Sequence, residues 1–362
     1  MRKSALIDRR SFIKAAGAAF LAGLSSEAAF ALGRTDAVFA SGFRAPGGTY
    51  GLALLSEEGE IIAQVDLPGR MHGLTCSTAT SKVVAFARRP GTFAVVVDPG
   101  TRSEPTVFAC GEDRHFFGHG GFSPNGHLLY ACENDFDNNR GVIGIYDAAN
   151  GFSRLGEVPA HGVGTHDMTV SDDGSLLIIA NGGIETHPDF GRTKLNLDHM
   201  EPSLVICDAR TGALVEKHAL PENLRRLSTR HLALADNGRI WFACQYEGPR
   251  NDLPPLVGYF GRGEALRFVD LPEETTERLA NYVGAIAINR HDNVVGLTSP
   301  KGGLAVILDG TSGAVVKQTR IANAAGIAPG VNSFAVSSYD GHFGRTQSAV
   351  AWDQHIGRLG TL

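Results

Sequence analysis

Apolar residues along this chain come in short runs, each broken by a tight polar turn and followed by another run. The clearest instance is FSPNGHLLYA, from Phe122: a strand end, an Asn-Gly turn and a second strand. The pattern returns as TVSDDGSLLIIA from Thr169 and ALADNGRIWFA from Ala233. It returns more weakly as CSTATSKVVAFA from Cys76, AINRHDNVVGLT from Ala287 and APGVNSFAVS from Ala328. A further copy of the second strand alone, AVFASGF, starts at Ala37. After each comes a third strand that ends in an acidic or Gly-bearing turn: VVVDPG, GIYDAANG, VICDARTG, VILDGTSG and VAWDQHIG. A strand of alternating polar and apolar residues, as in FSRLGEVPAHG, then leads to the next unit.

Second strands therefore begin near Val38, Val83, Leu128, Leu176, Arg239, Val294 and Ser333. Units of ~40–60 residues with four short strands each predict an all-β, single-domain, seven-bladed β-propeller over residues 37–362. An open sandwich would use the same strands but not the same period. The first unit lacks an innermost strand and the last an outermost one, so the two ends are expected to meet and close the ring, removing exposed sheet edges. A helical period is confined to a short stretch at Glu273–Leu279.

The N-terminal segment reads differently. Asp8-Arg9-Arg10-Ser11-Phe12-Ile13-Lys14 is a twin-arginine pattern, followed by the apolar run AAGAAFLAGL and the small-residue triplet Ala29-Phe30-Ala31. Residues 1–31 are thus expected to be a twin-arginine export signal, which places the mature protein in the periplasm. The apolar run is short and rich in Ala and Gly for a membrane anchor. Removing the five basic residues (Arg2, Lys3, Arg9, Arg10, Lys14) and two acids (Asp8, Glu27) of that segment takes the formal net charge from −5 to −8. A chain this acidic, without a basic run, is not expected to bind nucleic acid. The mature protein is expected to be a monomer without a transmembrane anchor. The five cysteines, Cys76, Cys110, Cys132, Cys207 and Cys244, form no CxxC pair and sit in apolar strands, as small core residues do. Cys132 and Cys244 occupy equivalent positions two blades apart, too far for a disulfide.

Loop composition separates two faces. The turns SPNG, SDDG, ADNG, DAANG, DARTG and DGTSG are tight Asx/Gly turns whose residues serve local backbone geometry. The long polar segments fall on the opposite face: RRPGT at Arg88, ENDFDNNRG at Glu133, the segment from Asn181 to Pro202, QYEGPRNDLPP at Gln245, TSPKGG at Thr298 and SSYDGHFGRT at Ser337. Loops on a rigid scaffold carry function, so this face is the functional one.

His72, His119 and His166 recur at a spacing of 47, and His231 takes the same place in the next blade. Each opens an innermost strand, so four imidazoles are expected to converge on the central channel. With Glu133, Asp135 and Asp167 nearby they would suit iron, copper or zinc, not calcium. His115 and His161 are further candidates as ligands or supporting groups. The Asn181–Pro202 loop, bearing His187, Arg192, Lys194 and Asp198, is a candidate lid or clamp. Arg230, Arg250 and Lys301 add cations on the same rim that could hold an anion. No GxSxG, phosphate loop, HExxH or CxxCH pattern is present.

FSPNGHLLYACENDFDNNRGVIGIYD resembles a WD-repeat unit, with YD where that family has WD. That likeness implies an alternative role for the histidines, as struts bonded within each blade. In that family, however, the histidine lies several residues earlier, outside the inner strand, whereas His119 is three residues from Phe122. The whole chain more closely resembles the bacterial family called domain of unknown function 1513. The likeness runs through GHGGFSPNG, YACEND, HGVGTHD, ANGGIETHPDFGRTKLNLDHMEPSL, RHLAL and TSPKGG. It implies a periplasmic propeller encoded near imelysin-type iron-uptake proteins, which would be its partners. The expected function is that of a binding or accessory propeller holding iron or copper in a His-lined funnel. The alternative is a propeller enzyme, a lactonase-like hydrolase or metal-dependent oxidoreductase, with its site in the same funnel.

Overall fold

A computed structural model describes residues 37–101, 104–331 and 333–361; the export-signal reading lies outside them. Seven four-stranded antiparallel sheets form the blades of a β-propeller, with strands numbered β1–β28 in chain order. The second strands are β1 (Phe39–Arg44), β5 (Val83–Ala87), β9 (Leu128–Asp135), β13 (Leu176–Asn181), β17 (Ile240–Tyr246), β21 (Val294–Ser299) and β25 (Ser333–Ser338). They begin within a residue of the places expected from the repeat. The short helix falls at Glu273–Arg278, also as expected.

Burial follows strand position. The second strands are nearly continuous apolar runs because a neighbouring blade covers each face; β5, VVAFA, is buried throughout. Outer strands such as β15 (Leu214–Ala219) and β23 (Val315–Arg320) are mostly polar and exposed. The Asx turns act as read from sequence. Asp147, Asp208 and Asp309 each accept two backbone N–H groups two and three residues on.

Ring closure corrects one expectation. VAWDQHIG is not a third strand. It is β28 (Ala351–Arg358), the innermost strand of the first blade, hydrogen-bonded to β1 with Phe39 opposite Arg358. Nor does the last blade lack an outer strand: β26 (His342–Phe343) and β27 (Thr346–Gln347) complete it as two-residue stubs. The chain's final strand thus supplies the inner strand that its beginning lacks, and the seam is packed. Trp352 is buried, with its ring 6.2 Å from that of Phe43 and 5.5 Å from that of Phe343, and its indole N–H donates to the Gly341 carbonyl. Cys132 and Cys244 are both free thiols, with no disulfide between them. Among the described residues no helix is long and apolar enough to cross a membrane.

The seam residue gives a direct test. Trp352→Ala is expected to lower unfolding stability by about 3–5 kcal/mol, as loss of a buried aromatic does. Val316→Ala on an outer strand, where the side chain is mostly exposed, is expected to change it by less than about 0.5 kcal/mol. Urea unfolding midpoints decide the point. Equal losses would mean that the two ends are not closed through β28.

Candidate functional site

The innermost strands surround the axis. They are β28, β4 (Met71–Cys76), β8 (Arg114–Phe122), β12 (Thr165–Val170), β16 (Leu227–Leu234), β20 (Ala285–Asn289) and β24 (Ala324–Gly330). Six of the seven carry an irregularity in register against their partners, and in five of these it falls where a histidine sits. On β12, Thr165 faces Asn181 and Asp167 faces Ala180, so His166 is the extra residue. His72 and His119 lie within the corresponding gaps of β4 and β8, and His231 directly follows that of β16. A bulge bends the strand and re-aims a side chain, and here it turns the rings inward. The remaining two blades carry no ring: β20 runs without a bulge, and in the bulge of β24 the residues are Ala325 and Gly326.

Four histidines were expected to converge, and five do. The fifth is His355, on the bulged part of β28. Ring centroids lie 4.9 Å apart for His72–His119, 4.8 Å for His119–His166, 4.8 Å for His166–His231 and 4.9 Å for His231–His355. His119 is central, also lying 5.2 Å from His231 and 4.6 Å from His355. Two glycines permit this approach. A Cβ on Gly118, which has φ +106°, would lie 2.5 Å from the His72 ring, and one on Gly73 would lie 2.3 Å from the Gly118 carbonyl oxygen.

Two sets of three rings, His72/His119/His166 and His119/His231/His355, each offer nitrogens all within 4.8 Å of one another. Asp167 stands beside the second set. Its carboxylate oxygens lie 3.5 Å from His119 Nδ1 and 3.7 Å from His231 Nδ1, while accepting the backbone N–H groups of Met168 and Leu232. His166 Nδ1 donates to the Arg230 carbonyl at 2.9 Å. Nε2 of His119, His231 and His355 is buried without a hydrogen-bond partner. These are charge contacts longer than hydrogen bonds, but a carboxylate on the Nδ1 side favours the tautomer whose Nε2 lone pair is free, as around metal-ligating histidines. Burial, reinforced by neighbouring rings or by Arg230, holds all five imidazoles below their ordinary range, His231 at about 3.

Above the rings lies a cavity of about 190 Å³, with His72 and His166 in its wall. Arg88 and Arg89 enter from the loop after β5, Arg192 and Lys194 from the loop after β13, and Arg230 from the bulge of β16. Burial and the neighbouring guanidinium groups push Arg89 down to about 10. Arg88 and Arg230 are likewise lowered, chiefly by burial.

Of the other sequence candidates, Asp167, Arg192, Lys194 and Arg230 belong to this centre. Lys301 is at its rim, its ammonium 4.4 Å from the ring of Tyr282, which lines the cavity. The rest lie elsewhere. His115 donates to the Phe116 carbonyl and accepts from Asn134; His161 donates to the Gly212 carbonyl. Glu133 is tied to Tyr146 and Arg154, and Asp135 to Arg114 and Arg140. Asn181 clasps Thr165 and the Ala160 carbonyl. His187 caps a short 3-10 turn, Asp198 pairs with His199, and the Arg250 carbonyl accepts from Asn281. Sequence reasoning missed His355, Arg88 and Arg89. The RRPGT loop was placed on the right face, but its two arginines were not singled out.

The fold and centre define a seven-bladed propeller with a five-histidine cluster on its axis beneath an arginine-lined cavity. The family model described as "Protein of unknown function (DUF1513)" matches residues 65–359, and the chain belongs to that family. No protein with a curated description matches it. Among solved structures it is similar to the Kuenenia stuttgartiensis hydrazine synthase, at 13% identity and a TM-score of 0.61, covering 82% of this chain and 91% of that one. It is also similar to a chain of a nidogen/laminin complex, at 10% identity and a TM-score of 0.52, covering 88% and 98%. At such identities the likeness is one of fold.

The depressed imidazoles set a pH dependence. In metal-free protein the unfolded chain takes up protons below about pH 6.5 that the folded rings refuse, so stability is full above that pH and falls as acid is added. The slope is up to about 1.4 kcal/mol per pH unit for each ring that stays neutral. Urea midpoints measured from about pH 8 down to about pH 5 are expected to fall, and a His119→Ala/His231→Ala protein to show a flatter profile. A level wild-type profile would mean that the rings titrate as exposed imidazoles do.

Proposed function

We propose that this protein is a periplasmic propeller that binds one transition-metal ion on its axis, through His119, His231 and His355. The observation that carries the reading is the trio of buried, unpartnered Nε2 atoms, two of them on rings whose Nδ1 faces Asp167. Nitrogens within 4.8 Å of one another place a shared ion at most about 2.8 Å from each, against ~2.0–2.1 Å for a zinc–imidazole bond. Closing that gap asks less than about an ångström of each ring. His72 and His166 offer an alternative pair with His119, so one ion has five rings to choose among.

Neutral imidazole suits iron, copper and zinc, and copper should bind most tightly in a test tube whatever the physiological metal. The periplasmic setting and a tie to iron uptake are supported by the twin-arginine pattern and the family resemblance. The enzyme reading draws on the cavity, which opens onto His72 and His166 and would leave coordination positions accessible on an ion held by those two rings with His119.

Metal analysis and calorimetric titration of the mature chain with Cu²⁺ and Zn²⁺ test the proposal. Wild type is expected to take up one equivalent, His119→Ala to lose it, and Asp167→Asn to bind about 10–100-fold more weakly. If wild type takes up no metal, or His119→Ala binds as wild type does, the reading is wrong.

A further inference from the structure

The cations over the histidines lack counter-charges. Among the described residues Glu247 is the one carboxylate that pairs with any of the five, contacting Lys194 and, at 3.9 Å, Arg230. No carboxylate among the described residues lies within ion-pairing distance of Arg88, Arg89 or Arg192, and the nearby Asp353 is taken by Arg70 at 2.6 Å. Nε of Arg88 and of Arg230 is buried without a hydrogen-bond partner. Gathering four guanidinium groups from three separate blades around one space, with a carboxylate in reach of Arg230 alone, sets like charges against one another at a cost to the fold. An occupant of opposite charge removes that cost.

We propose that the cavity binds a small oxyanion carrying two or more negative charges, its carboxylate or phosphate oxygens forked onto Arg88, Arg89, Arg192 and Arg230. The planar five-donor guanidinium matches both oxygen geometries. Charge sets the valence: five cations less one shared carboxylate leave a surplus of four, more than a monocarboxylate answers. Volume sets the size, since about 190 Å³ is below the range of drug-sized sites. Gln245, Gln354 and Tyr282, all neutral, complete the wall. His72 and His166 line the same space, so an oxygen of the anion would meet a metal held by the alternative trio of His72, His119 and His166. That last step rests on the metal reading; the binding of the anion does not.

The test is calorimetric titration of the metal-stripped mature chain, at fixed ionic strength, with citrate, pyrophosphate and acetate. One equivalent of citrate or pyrophosphate is expected to bind, while acetate at the same concentration does not. Citrate against pyrophosphate separates a carboxylate source from a phosphate source. Arg89→Gln and Arg192→Gln are each expected to weaken binding at least about tenfold. Without ligand, both variants are expected to melt no lower than wild type, because each removes like-charge repulsion. The inference is overturned if neither polyanion binds or if both variants bind as wild type does. It is equally overturned if both melt well below wild type, since the arginines would then be structural braces. Should citrate bind to protein that takes up no metal, the metal reading alone fails.

Discussion

Everything on the axis depends on the pairing of β28 with β1. An unclosed ring would leave the inner edge of the first blade as a row of unpaired backbone groups, and the inner strands would have no common centre to face. Closing it with the last strand of the chain does two things at once. Trp352 locks the seam between Phe43 and Phe343, and His355, three residues on, completes a cluster begun nearly three hundred residues earlier. Packing and chemistry are therefore built on one strand. The buried Trp352 faces the blade and the bulge turns His355 toward the axis.

Much of this was legible in the sequence because blades repeat a local rule. A buried second strand needs a continuous apolar run, and a tight turn needs an Asx or Gly; both are visible without knowing what packs on what. The histidines at a spacing of 47 were legible for the same reason, being one position of a repeated unit. His355 was not, because closure breaks the repeat. VAWDQHIG ends like a third strand, and only its pairing with β1 makes it an inner one. Glu133, Asp135 and His115 misled for a related reason. They lie on β8, which carries His119, and on its neighbour β9, but each is consumed by a partner of its own: Glu133 by Arg154, Asp135 by Arg114 and Arg140, His115 by Asn134. Arg88 and Arg89 sit in a loop of ordinary composition, and nothing local says that Arg192 and Arg230 will meet them.

The axis works against the economy of the rest of the fold. Eight close contacts among five imidazoles, and a roof of guanidinium groups facing a single carboxylate, Glu247, are unfavourable features that packing of the blades must offset. Conflicts between local rule and global fold concentrate at functional sites. Around them the structure is conventional: Asx turns satisfied, outer strands polar, Glu133 and Asp135 fully paired with arginine. The contrast within one chain is itself informative. Where this protein buries a charge for structure it supplies the partner, as Asp353 has Arg70, whereas over the histidines one carboxylate, Glu247, serves five cations.

The two unusual features also act on each other. Arg230 helps to hold His166 and His231 in the neutral form, because a cation nearby disfavours a second positive charge on the ring. The roof thus keeps nitrogen lone pairs available beneath it. The same field opposes a metal ion, whose charge adds to that of the arginines, and Asp167 alone offsets only part of it. An anion between the two layers reverses the sign of the problem, attracting both the guanidinium groups above and the ion below. Metal and anion would then each raise the other's affinity by the same factor, as linkage requires of two sites that share one free energy. On the reading proposed here, such a centre would hold a metal together with an oxyanion more firmly than either one alone.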